Sequence, residues 1–140
     1  MTRLLDINVL LAIVWPQHVH YRRVNEWLVA ERAKGKMEIA TSPITQLGFV
    51  RISLNIKGYA QNFQSAMELL HVLIHRPEFQ HEFWPDSVSL LSVKRSSNLN
   101  PDLSAGQLTD FYLVSLAKDR SGRLATFDEG IKDPAVELIP

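Results

Sequence analysis

Three aspartates stand within or directly after apolar stretches of the chain: Asp6 in "LLDIN", Asp110 in "LTDFYL" and Asp128 in "ATFDEG". An unpaired carboxylate in a protein core is costly, so each is expected to be a helix cap, a paired charge or a ligand. Taken singly, Asp6 fits a helix N-cap and Asp110 fits the first turn of a helix, where the dipole favours an acid. Asp128 fits a tight turn with Glu129 and Gly130. A cap can also be a ligand, so both roles stay open for Asp6.

Together, the three carboxylates suggest a cation site. Like charges that are held together raise each other's pKa, and a bound cation relieves that repulsion. The chain has no cysteine and no obvious histidine set, so hard oxygen ligands favour Mg²⁺ or Mn²⁺ over Zn²⁺. Such an ion can activate water while it binds a phosphate oxygen, which makes phosphodiester hydrolysis the natural chemistry.

Two histidine pairs have spacings that are compatible with zinc. His71 and His75 are one helical turn apart, whereas His18 and His20 have a strand-like interval. No third ligand is evident for either pair. We therefore expect histidines of the surface or of an interface.

Composition predicts one soluble domain that spans residues 1–140. Hydrophobic residues make up 46% and charged residues 21%, which is typical of a globular protein. The absence of cysteine fits a reducing compartment, and the apolar N-terminal stretch is too short for a membrane span, so the expected location is the cytoplasm. Fifteen basic residues balance fifteen acidic ones, so net charge indicates no particular partner.

Short apolar segments alternate with amphipathic ones along the chain. The predicted strands are residues 3–5, 37–40, "EFQHEFWP", "RLATFDEGI" as far as Asp128, and "VELI". The predicted helices are residues 8–15, 20–33, "ITQLGFVRISLN", "GYAQNFQSAMELLHVLIHR" and "LTDFYLVSLAK", the last after a capping box of Ser104 and Gln107. This alternation predicts an α/β domain with a mainly parallel central sheet flanked by helices. Ligands of such sheets bind beyond the carboxyl ends of the strands, where Asp6 and Asp128 are expected.

Four segments, "LLDINVLLAI", "TSPITQLGFVRIS", "LTDFYLVSLA" and "LATFDEGI", resemble the successive signature segments of PIN-domain ribonucleases. The likeness is closest to the VapC toxins of bacterial toxin–antitoxin pairs, and it extends from residue 3 to about residue 131. It implies a three-layer PIN-like fold and a metal-dependent endoribonuclease of the type II toxin class. It also implies a homodimer and a small antitoxin whose tail covers the acidic site.

The resemblance assigns roles to individual residues. Asp6, Asp110 and Asp128 match the metal-binding acids of the family, and Asn8 matches the polar residue beside the first acid. One position departs from the pattern, because Gln46 stands where the second segment usually has an acid. An amide oxygen can still hold water or substrate, so Gln46 is expected to position one of them.

The missing acid leaves three hypotheses open. Three acids suffice for catalysis, or Glu82, Asp86 or Glu129 substitutes for the fourth, or the domain binds RNA or protein without cutting RNA. We favour the first. A phosphatase of the haloacid-dehalogenase type is a more distant alternative, because "DINVL" has Asn8 where the motif of that class, DxDxT or DxDxV, has its second Asp.

Four basic residues are candidates for contacts with phosphate. Arg51 is the strongest candidate, because it follows Gln46 near the end of the same predicted helix. Arg22, Arg23 and Lys57 are weaker candidates, and most of these side chains are expected to be solvated charges. RNA binding through them would be sensitive to salt.

Overall fold

A computed structural model describes residues 1–92 and 102–140, and these ranges contain five strands and five helices in the order β1-α1-α2-β2-α3-α4-β3-α5-β4-β5. The strands are β1 (Arg3–Leu5), β2 (Met37–Thr41), β3 (Phe79–Phe83), β4 (Arg123–Thr126) and β5 (Val136–Leu138). The helices are α1 (Ile7–Val14), α2 (Tyr21–Arg32), α3 (Pro43–Asn55), α4 (Phe63–Ile74) and α5 (Ala105–Asp119). None of these helices combines the length and the apolar character that crossing a membrane requires.

The strands form one sheet in the order β3-β2-β1-β4-β5, and every neighbouring pair is parallel. β1 lies between β2 and β4, with Leu4 opposite Ala40 on one side and Leu124 on the other. The predicted α/β fold with a central parallel sheet is confirmed. Because all five strands run in one direction, their carboxyl ends open at the same edge of the sheet.

Helices cover both faces of the sheet and make three layers. Successive side chains of a strand point to opposite faces, and Leu4 and Leu5 accordingly belong to two different core clusters. Leu5 packs with buried side chains of α1 to α4, whereas Leu4 packs with those of α5. Both leucines are fully buried, so the central strand is covered on each side.

Helix starts are set by local caps. Ser42 accepts a hydrogen bond from the Thr45 N–H at the start of α3, and the Gln107 side chain accepts one from the Ser104 N–H at the start of α5. In α3, Gly48 lies so close to α1 that a Cβ atom would come within 2.4 Å of the Ile7 side chain. A residue without a Cβ atom therefore lets these two helices approach closely.

Two predicted boundaries are wrong for local reasons. The helix expected from "GYAQ" onwards begins only at Phe63, because Asn62 accepts a hydrogen bond from the Ser65 N–H and acts as its N-cap. The strand expected to reach Asp128 ends at Thr126, because Asp128 folds a turn in which its carboxylate accepts the Gly130 N–H. Asp128 therefore stands just past the end of β4.

Candidate active site

Asp6 joins the end of β1 to the start of α1 and is held from two sides. Its Oδ1 atom accepts the Ile7 N–H at 2.7 Å, and its Oδ2 atom accepts the Thr126 hydroxyl at 2.8 Å. The side chain is only 6% exposed, and this burial raises its pKa above the ordinary value for aspartate. The N-cap role is confirmed, and both carboxylate oxygens have fixed positions.

Asp128 is exposed and lies on the turn after β4. Its backbone N–H donates to the Thr126 Oγ1 atom at 3.1 Å. The same Thr126 hydroxyl donates to Asp6, so one threonine ties the ends of two neighbouring strands together. The carboxylate of Asp128 accepts the Gly130 N–H at 2.8 Å, which confirms the predicted tight turn.

Asp110 approaches the same place from α5. The helix begins at Ala105, so Asp110 lies in its second turn, and the interpretation as a first-turn residue is wrong. Four effects together raise the pKa of Asp110 to about 6. Burial is the largest, followed by the charge of Asp6, the charge of Asp128 and a hydrogen bond with Asp128. The fold therefore places the three carboxyl groups close enough to influence one another electrostatically.

The three aspartates line one open cleft of about 390 Å³. The other lining residues are Ile7, Asn8, His20, Ile52, Gly106, Thr109, Thr126 and Phe127. Neither lysine nor arginine is among the described residues that line it. The cleft is therefore acidic, and Asn8 lies beside the first acid as the resemblance implies.

The donors in this cleft suit a hard divalent cation in type and charge. The charged donors are carboxylate oxygens. Burial contributes most to the raised pKa of Asp110, and the charges of Asp6 and Asp128, which a cation would offset, raise it further. Within the described residues, however, no three acidic or histidine side chains already stand around a common point as metal ligands. Binding an ion would therefore require at least one side chain to change its rotamer. The exposed Asp128 can do so more easily than the buried Asp6.

Gln46 lies on α3 and is not among the residues that line the cleft. Its Nε2 atom donates to the Thr41 Oγ1 atom at 3.0 Å, and the same hydroxyl lies 2.8 Å from the His81 Nε2 atom. Thr41 ends β2, next to β1 in the sheet. One N–H of the amide is engaged with Thr41, so Gln46 can offer Oε1 and its second N–H to water or substrate. Its role stays a prediction.

The acids considered as substitutes for the missing carboxylate lie outside the cleft. Glu82 accepts the indole N–H of Trp84 at 2.8 Å, and Asp86 accepts the Ile44 N–H at the start of α3. Glu129 is exposed beside Asp128 and lines a second depression. The structure therefore brings none of the three into the acidic cleft.

The basic candidates are also outside the cleft. Arg51 and Lys57 are exposed, and Arg22 pairs with Glu26 at 3.0 Å on the surface of α2. The guanidinium of Arg23 donates to backbone carbonyls at the C-terminus and lies 5.2 Å from the centre of the Phe127 ring. The expectation of solvated charges therefore holds for Arg22, and Arg23 has a structural role.

Sequence reasoning did not assign His20 and Thr126 to the site. The sequence pattern indicates His20 only as half of a zinc-compatible pair, and its ring lies 5.7 Å from that of His18. It lines the cleft because its ring stacks on Phe127, a contact between residues distant in sequence. For Thr126 a signal was available, since a hydroxyl two residues before Asp128 can cap the turn.

A parallel α/β sheet with an acidic cleft at the carboxyl ends of its central strands is typical of metal-dependent enzymes that act on phosphate esters. Comparison with known families identifies the family within this class of enzymes. The PIN domain family model matches residues 3–137, and the chain belongs to this family.

Named relatives cover nearly all of the chain. Ribonuclease VapC39 of Mycobacterium tuberculosis is 36% identical over 135 residues, which are 96% of this chain and 94% of that protein. Ribonuclease VapC44 of the same species is 38% identical over 141 residues, 97% of this chain and 92% of that protein. Ribonuclease VapC29 is 36% identical over 144 aligned positions, 100% of this chain and 98% of that protein.

Proposed function

We propose that the protein is a metal-dependent endoribonuclease, the toxin of a type II toxin–antitoxin pair, which hydrolyses phosphodiester bonds of RNA. The observation that carries the proposal is the meeting of Asp6, Asp110 and Asp128 in one cleft, at the ends of β1 and β4. The relatives of similar length, which are named as VapC ribonucleases, support the same function.

Asp6, Asp110 and Asp128 would hold Mg²⁺ or Mn²⁺ in this cleft. A bound ion of this kind supplies a more acidic water and offsets the negative charge of the phosphate. Asp6 presents a carboxylate that Ile7 and Thr126 keep in place. Asp110 must be ionised to act as a ligand, and its raised pKa means that a proton competes with the cation in acidic solution.

Other groups of the chain would position RNA. Asn8 and Thr109 line the cleft and carry side-chain donors that suit phosphate oxygens. We assign to Gln46 the positioning of water or substrate through Oε1, because the hydrogen bond from its Nε2 atom to Thr41 fixes the orientation of the amide. Arg51 is exposed on α3, where it can meet a phosphate of a longer RNA.

The proposal includes partners and a location. We propose one domain over residues 1–140 that acts in the cytoplasm as a homodimer and is inhibited by a small antitoxin whose tail covers the acidic cleft. Exposed apolar side chains of α3 and α4 support a protein partner. They are Leu47, Leu54, Phe63, Met67 and Val72, each at least 42% exposed.

Cleavage of a mixed RNA pool tests this function. The purified protein, free of antitoxin, is incubated with Mg²⁺, Mn²⁺ or EDTA beside Asp6→Asn and Asp110→Asn, with Asp119→Asn as the control at the far end of α5. We expect cutting that needs the metal, that the two cleft variants lose and that the control keeps. Cutting by both cleft variants at the original rate would overturn the assignment of the acids.

A binding module without nuclease activity is the second candidate, and Gln46 favours it. Replacing an acid by an amide removes one negative charge from a cation site, and the nitrogen of that amide is already engaged with Thr41. This candidate predicts partner binding that does not depend on divalent metal. An absence of cutting under every metal condition, together with metal-independent RNA binding, would favour it over the nuclease.

A further inference from the structure

His20 is held at the wall of the acidic cleft by a stack of side chains. Its ring lies 4.4 Å from the ring of the buried Phe127, at an angle of 27° between the planes. The guanidinium of Arg23 also lies against Phe127, and it donates to the carbonyls of Ile139 and Pro140. Phe127 directly precedes Asp128, so the stack places an imidazole next to the turn that carries an acid of the site.

The backbone of His20 is held as well. Its N–H donates to the Nδ1 atom of His18 at 3.1 Å, and its carbonyl accepts the Val24 N–H in the first turn of α2. The ring therefore projects from a fixed helix start onto a fixed aromatic surface. A side chain with so little freedom loses little entropy when it binds a ligand.

Because the cleft is acidic, a phosphate bound there needs a hydrogen-bond donor, and the imidazole of His20 can supply one. RNA brings a negative phosphate to a wall that already carries three carboxyl groups, and phosphate oxygens need hydrogen-bond donors. Among the described residues that line the cleft, His20 is the one basic side chain. A neutral imidazole carries one N–H and an imidazolium carries two, so a donor is present in either state.

We propose that His20 binds the phosphate of RNA in this cleft and that a ring N–H donates to a non-bridging oxygen of the bond to be cut. The inference rests on the proposed nuclease function and adds a residue that contacts the substrate. Stacking on Phe127 orients the ring, so its edge and not its covered face meets the phosphate.

This role is tested by substitutions that distinguish the loss of the ring N–H from the loss of stacking on Phe127. His20→Phe keeps a flat ring against Phe127 without a donor, and His20→Gln and His20→Leu form a pair of similar size with and without a donor. His71→Phe is the matched control, because His71 is exposed on α4 and contacts His75. Thermal unfolding identifies the variants that fold, and the Gln and Leu pair serves if the Phe variant does not.

Two readouts follow for each variant. Steady-state cleavage separates kcat from KM, and fluorescence anisotropy measures RNA binding in an Asp110→Asn background, where cutting is blocked. A hydrogen bond to a charged group predicts a loss of about tenfold to hundredfold in kcat/KM for His20→Phe and His20→Leu. RNA binding should weaken in parallel, His20→Gln should regain part of both, and His71→Phe should match the original protein.

Failure of this inference differs from failure of the proposed function. If the original protein cuts RNA and the folded Phe and Leu variants cut and bind as well as it does, His20 does not contact the phosphate while the nuclease function stands. Equal losses in the Gln and Leu variants would also overturn the inference. If the original protein cuts no RNA with either metal, the nuclease proposal fails. In that case, His20 variants that bind RNA as tightly as the original protein would overturn the phosphate contact as well.

Discussion

Replacing Asp110 by Asn is expected to make the metal-free protein more stable at neutral pH. Burial, the charges of Asp6 and Asp128 and a hydrogen bond with Asp128 together raise the pKa of Asp110 to about 6, and burial is the largest of these causes. Since an exposed aspartate has a pKa of about 3.9, the folded state binds this proton more tightly than the unfolded state. The stability that the proton contributes is present below about pH 4 and is lost as the pH rises through about 6.

The magnitude follows from the two pKa values. A difference of about 2 pH units corresponds to about 3 kcal/mol of unfolding free energy at neutral pH. Asp110 is only half-buried, and solvent screening reduces the expected gain in the Asn variant to about 1 kcal/mol. For a chain of this length such a gain raises the Tm by about 3 °C.

Urea unfolding in EDTA, followed by tryptophan fluorescence at pH 4 and pH 7.5, measures the effect. We expect Asp110→Asn to be more stable than the original protein at pH 7.5, with a smaller difference at pH 4. Adding Mn²⁺ should stabilise the original protein and leave the variant nearly unchanged. Asp119→Asn changes the charge equally at the exposed end of α5 and should keep the pH dependence of the original protein.

Two results would refute this reasoning. One is an Asp110→Asn variant that is less stable than the original protein at pH 7.5 in EDTA. The other is a difference in stability that does not change between pH 4 and pH 7.5, because the explanation requires a proton held by Asp110 in the folded state.

Two further predictions concern the surroundings of the acids. Gln46→Glu adds a negative charge beside the carboxyl ends of the central strands and should tighten Mn²⁺ binding in calorimetry; unchanged or weaker binding would contradict a role for this position at the cation site. Thr126→Val leaves Asp6 without a hydroxyl donor and the Asp128 N–H without its acceptor, so it should cost about 1–3 kcal/mol of stability in urea unfolding. Thr126→Ser keeps the hydroxyl and should stay close to the original protein, and equal losses in the two variants would point to packing instead.

Much of the local structure was predictable because it depends on near neighbours. The cap at Asp6 and the capping box at Ser104 are interactions over one to three residues. The two misplaced boundaries also depend on near neighbours, because the cap at Asn62 and the turn at Asp128 act over two or three residues. In both places the hydrophobic pattern predicted a longer element than these local hydrogen bonds allow. Periodicity located the apolar faces, and the polar side chains decided where the elements begin and end.

The sequence by itself determined the kind of residues in the site, and tertiary structure decided which of them meet. Asp6 and Thr126 are 120 residues apart, and pairing of β1 with β4 brings them within 2.8 Å. His20 enters the cleft through its stack on Phe127, and Gln46 turns its nitrogen to Thr41. Spacing along the chain cannot predict such contacts, because they arise from strand order and from helix packing across the whole domain.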